Sequence, residues 1–118
     1  MTGPPLIDRA VIDDLVEAIG ADGARSVIEL FVAEAQGYLA TIAAAAASAD
    51  PAKRDEARRA AHSLKSGAGQ VGAAAIAAAA IEVERAASTD AGMGEPAAAL
   101  QRCAAETTRE LTRLAIRD

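Results

Sequence analysis

Apolar residues recur at three- and four-residue steps along most of the chain, the spacing of one face of an α-helix. Ile28, Phe31, Ala35, Leu39, Ile42 and Ala46 form one such stripe and predict a helix from about Asp22 to Ser48. Ala57, Ala61, Leu64, Ala68 and Val71 form a second, over Pro51 to about Gly69. Ile76, Ala80, Val83 and Ala87 predict a helix over about Gly72 to Ser88, and Leu100, Ala104, Leu111 and Leu114 one that opens at Pro96. Ahead of these lies a shorter stretch, RAVIDDLVEAIG, in which Val11, Ile12, Leu15 and Ile19 share a face. Nothing alternates with period two, so no strand is expected.

Helix-end signals divide the stripes at the same places. Asp8 is suited to N-cap the short stretch and Gly20 to stop it. Asp50-Pro51 ends one helix and starts the next, because proline is well placed at a first helical position and an acidic residue before it can cap. The turn there is short, so its two helices run antiparallel. STDAGMGEP is the longest loop signal. The expected architecture is all-α: an antiparallel up-and-down four-helix bundle with a short additional N-terminal helix. Residues 1–7, with Pro4 and Pro5, read as a flexible lead, and residues 8–118 as the bundle domain.

Composition agrees and narrows the function. The chain has 118 residues, enough for one domain, and is 52% hydrophobic but only 2% aromatic. Much of the apolar content is alanine, the best helix former. A net charge of −5 argues against nucleic acid as a partner. Cys103 is the only cysteine and reads as packing. No run of about 18 residues is apolar throughout, so no membrane span is expected. The N-terminus lacks the basic and apolar regions of a signal peptide. A soluble cytoplasmic monomer is the expectation.

The chemistry concentrates in AAHSLKSGAGQVG, Ala60 to Gly72, which holds the single histidine. At about 100° per residue, His62 lies about 160° around the helix from Leu64, facing away from the core. Arg58, Lys65, Ser66 and Gly69 share its side, and Arg59 lies close by. An exposed neutral imidazole is a nucleophile, and cations near it stabilise a phosphoryl group once attached. A lone histidine on a helix is, by geometry alone, more often a solvated surface residue. One histidine and a distant cysteine make no zinc set, and no metal site is expected. No nucleophile elbow supports a Ser-His-Asp hydrolase.

These residues resemble the histidine-containing phosphotransfer domain family, whose pattern is roughly His-x-Leu-Lys-Gly, four residues, an apolar residue and Gly. His62, Leu64, Lys65, Val71 and Gly72 match it without a gap. Ile76, Ala80, Val83 and Glu84 fill the apolar and acidic positions of the family's next helix, and LFVAEA looks like its Leu-Phe segment. One position departs: Ser66 stands where the family usually has glycine.

The resemblance implies a phosphorelay intermediate with no kinase activity of its own, in keeping with the lack of a glycine-rich nucleotide loop. His62 would carry the phosphoryl group, through its outer nitrogen, and Lys65 would neutralise its charge. The partners implied are response-regulator receiver domains and a sensor histidine kinase, simple or hybrid. No cofactor is implied for this chain, since Mg²⁺ would sit in the receiver's acidic pocket. Arg58, Arg59, Ser66, Gly69 and Tyr38 are the expected docking surface. Tyr38 enters because a turn near residue 50 pairs position 62 with about position 38. The competing expectation is an adaptor bundle that binds signalling proteins without phosphotransfer. The initial methionine and domain-sized length favour a stand-alone carrier over an excised domain.

Overall fold

The computed structural model describes residues 5–89 and 91–117, with side chains as far as Leu114. Four helices follow one another: α1 over Arg9–Ala46, α2 over Pro51–Gln70, α3 over Ala74–Ala87 and α4 over Gly94–Arg117. Both predicted caps form. The Asp8 carboxylate accepts from the Ala10 amide, and Asp50 accepts from the Ala52 amide with Pro51 in the first turn. Each helix packs on two others, α2 and α4 both lying between α1 and α3. This is the expected up-and-down bundle, and among the described residues it has no strand.

The interior is built from the predicted stripes. Ile28, Phe31, Ala35, Leu39 and Ile42 of α1 meet Ala57, Ala61, Leu64 and Ala68 of α2 in one core, with Ile76, Ala80 and Val83 of α3 and Leu100, Ala104 and Leu111 of α4. Ala45 is buried where the stripe called for Ala46, which is half-buried. One 18-residue window of α1 reaches a mean hydropathy of 1.3. Its buried residues form a single stripe against the bundle, as expected of a core helix.

The predicted short N-terminal helix is present as the first part of α1, set off from the rest at Gly20, the stop expected for it. Gly20 takes φ 82° and ψ 166° and breaks the helix with no loop. Of its shared face only Ile12 is buried, and Ile19 is 48% exposed. Ile19 lies instead over Gly23, where an added Cβ would stand 3.1 Å from its Cγ1. The residues before this segment are tied down. The Asp8 amide donates to Gly72 at 2.8 Å, the Ala75 amide donates to Leu6 at 3.3 Å, and Ile7 packs against the core. Residues 5–7 therefore form a strap across the α2–α3 corner, where a flexible lead was expected. Residues 1–4 of that lead lie outside the described residues.

Two glycines of the histidine stretch lie within α2, which ends close to the expected Gly69. α2 runs through Gly67 and Gly69 to Gln70. A Cβ on Gly67 would stand 3.2 Å from the Phe31 ring, so this glycine lets α1 approach α2. The stop comes at Gly72, in the left-handed region at φ 73°. There the Ala73 amide turns back to the Ala68 carbonyl at 2.9 Å.

Cys103 packs partly buried against the core, its sulfur 3.8 Å from the hydroxyl of fully buried Thr107, and burial pushes its thiol pKa up.

The loop after α3 is held by Arg54 of α2. Its guanidinium donates to the Ala86 carbonyl at 2.7 Å, to Thr89 at 2.8 Å and also to Ala91. These carbonyls lie at and just beyond the C-terminal end of α3, where a cation is also favoured by the helix dipole. Arg54→Ala is expected to cost about 1–2 kcal/mol, since bonds to a charged donor are worth more than neutral ones. Urea unfolding checks this: the midpoint falls with the slope unchanged.

Candidate functional site

His62 and Lys65 stand one turn apart on α2, and Glu84 faces them from α3. Glu84 follows Val83, which is fully buried, so the carboxylate sits at the edge of α3's core stripe, on the side turned to α2. His62 Nδ1 lies 3.0 Å from Glu84 Oε2, and Lys65 Nζ donates to Glu84 Oε1 at 3.1 Å. One carboxylate thus engages both residues, one oxygen each. The His62 side chain remains 59% exposed, whereas that of Glu84 is only 23% exposed.

The cluster fixes the histidine's tautomer. The Lys65 hydrogen bond is the main cause that holds the Glu84 carboxyl below its ordinary value of 4.5; partial burial opposes it and the His62 bond adds to it. Glu84 is therefore ionised at neutral pH, and an ionised carboxylate only accepts. The shared proton sits on His62 Nδ1. In the neutral ring Nε2 then keeps its lone pair.

The linkage has a definite sign. A carboxyl whose pKa is lower in the folded chain contributes stability above its unfolded value and loses it as pH falls through the folded one. Glu84→Gln is expected to reduce stability at pH 7 by no more than about 1 kcal/mol for so open a site, seen as a lower melting temperature. The gap to the parent chain should close as pH falls below 4.5. Melting curves from pH 7 down to acid check both parts.

The other expected site residues are not all gathered here. Ser66 and Gly69 are exposed on α2, and a Cβ on Gly69 would meet nothing within 4 Å. Arg58 and Arg59 both pair with Asp55, at 3.0 and 3.3 Å, on the preceding turn. Tyr38 packs partly buried against the core. It lines a cavity of about 250 Å³ in the α1–α2 groove, with Thr41, Glu56, Arg59, Ala60 and Ser63. His62 is turned to the other flank of α2, toward α3.

Glu84 is the residue that reading along the chain left without a role. No carboxylate lies next to His62 in sequence, and the partner comes from 22 residues further on. The available signal was an acidic side chain directly after a core position of the next helix. Among the described residues, no group of three or more His, Cys, Asp or Glu side chains could hold a metal ion.

Comparison with known proteins follows the same lines. A family model described as the Hpt domain matches residues 26–116. Among solved structures, the chain is similar to histidine-containing phosphotransfer protein B (HptB) from Pseudomonas aeruginosa PAO1. The two are 23% identical, the match covers 98% of this chain and 99% of that one, and the TM-score is 0.79, a likeness of fold. No curated protein matches.

Proposed function

The chain belongs to the Hpt domain family, and from that premise we propose that it carries phosphoryl groups on His62 between aspartates of receiver domains, without a nucleotide site of its own. The observation that carries this reading is the His62–Glu84 contact. It holds the ring by Nδ1 and leaves Nε2 as the nucleophile on an exposed face.

The Nε2 lone pair attacks the phosphorus of an aspartyl phosphate on the receiver. The Nε2–P bond forms, the P–O bond to the aspartate breaks, and its electron pair stays on the aspartate as a carboxylate. The ring gains positive charge, with its proton still on Nδ1, and Glu84 stands at 3.0 Å to offset that charge. Lys65 balances Glu84 from the other oxygen, so the cluster does not present a bare anion to the incoming phosphoryl group. Phosphoryl transfer asks mainly for this alignment and charge compensation. Reversal passes the group to a second receiver's aspartate.

Mg²⁺ belongs in this reading to the receiver's pocket. Arg59, Ser66 and Gly69 lie on the approach to Nε2, and Arg58 beside it. Tyr38 supports the same docking face from the α1–α2 groove, one flank away from the histidine. A sensor kinase, simple or hybrid, would feed the relay, in the compartment where receivers are found.

Incubation with a phosphorylated receiver is expected to move label onto the chain, stable in base and lost in acid, as a phosphoramidate bond requires. A chain that binds receivers but never takes the label would favour the adaptor function instead.

A further inference from the structure

The proposal concerns Ser66, and it rests on the phosphocarrier reading above. His62 is flanked unequally on α2. By helical phase Lys65 lies about 60° to one side of it, and Ser66 about 40° to the other. The Lys65 side is the α3 side, because Lys65 and His62 Nδ1 both reach Glu84 there. The two nitrogens of an imidazole point in diverging directions. With Nδ1 held toward α3, Nε2 is turned away from it, toward the flank of Ser66.

Three further features favour this flank. Side chains four residues apart on a helix have Cβ atoms about 5–6 Å from each other, and each leans back toward the helix N-terminus. Ser66 therefore leans toward the turn that carries His62. Ser66 is exposed, and its hydroxyl has no partner among the described residues. Beyond it Gly69 leaves open space, with nothing within 4 Å of where its Cβ would be. Lys65, by contrast, is already engaged at 3.1 Å by Glu84.

We infer that Ser66 is a phosphoryl-positioning residue: its hydroxyl donates a hydrogen bond to a phosphoryl oxygen on His62 Nε2, from the flank opposite Glu84. A glycine there would leave that oxygen to water. The donor favours the more highly charged form of the phosphoryl group, so it should lower the pH at which the group loses its last proton. It also stabilises the resting phosphohistidine against hydrolysis.

The test needs no receiver. The full chain is phosphorylated with phosphoramidate; Nε2 attacks phosphorus, the N–P bond of the reagent breaks, and ammonia leaves. The parent chain is compared with Ser66→Ala, Ser66→Gly and Ser66→Thr. In the alanine and glycine variants the phosphohistidine half-life at neutral pH is expected to fall about three- to tenfold, the worth of one hydrogen bond. Their ³¹P titration should move to higher pH, and Ser66→Thr should keep both parental values. Equal half-lives and titrations in all four chains would overturn the role of Ser66 and leave the carrier function standing. A parent chain that takes no phosphoryl group on His62 would overturn both.

Discussion

His62→Gln is expected to leave a folded chain that accepts no phosphoryl group. The side chain is 59% exposed, so little packing depends on it. An amide can still donate to Glu84, and surface substitutions of this kind cost within about 0.5 kcal/mol. The amide nitrogen, however, has its lone pair delocalised into the carbonyl and cannot attack phosphorus. Loss of the nucleophile should reduce transfer from a phosphorylated receiver by on the order of a thousandfold or more. Gel transfer assays at matched receiver concentration check this, with receiver binding measured in parallel. Retained binding with lost labelling is the expected pair of results. Labelling at the parental rate would remove His62 from the mechanism altogether.

Gly72→Ala carries the largest expected effect on stability. The backbone there is left-handed at φ 73°, which costs an L-residue about 1–2 kcal/mol. An added Cβ would also stand 2.7 Å from the Asp8 carbonyl oxygen, a backbone atom that cannot swing aside. The N-terminal strap would have to shift, putting at risk the 2.8 Å bond from the Asp8 amide to Gly72. Together these predict a loss of about 2–4 kcal/mol. Gly72→Asn separates the two causes, since asparagine enters the left-handed region more readily. It should recover the backbone part and keep the cost of the contact. Urea unfolding of the three chains reads both. Equal stability of Gly72→Ala and the parent would mean that the strap is not held as described.

The lengthwise organisation of the fold was legible because it depends on local rules. Asp8, Asp50 and Pro51 mark helix starts through bonds within a few residues. The stripes of α1 to α4 follow from a repeat of 3.6, and nearly every position on them is buried. Gly20 was legible as the interruption between the short stretch and the helix from about Asp22, but the angle between the two was not. That angle depends on its φ of 82° and on what the rotated segment packs against.

The site was only half legible, for a geometric reason. Counting residues back from a turn gives the height of a side chain along the bundle, but not the flank it occupies. Tyr38 is at the height of the second helix's Arg59, Ala60 and Ser63, as counting implied, yet on the α1 side. His62 looks the other way, to α3. The pairing that orients it joins positions 22 apart on two helices, and no local pattern encodes that contact. Arg54 escaped for the same reason: its partners are carbonyls of a helix end and loop more than thirty residues on.

The small residues behind the site bear on how a message passes through this molecule. Ala57, Ala61 and Ala68 of α2 and Ala80 of α3 are wholly buried, and Gly67 lets Phe31 close on α2. Alanine and glycine have no rotamers to exchange, so at these positions the helices that hold His62 meet through groups with one arrangement each. Conformational signalling needs a packing that can stand in two ways. At these small residues the bundle offers a single one. Charging His62 should leave the backbone of loaded and empty chains superimposable. A downstream reader would then learn only whether the group is present. On the proposed carrier function, such a protein would be a store of transferable phosphate, whose level follows the balance of its donors and acceptors.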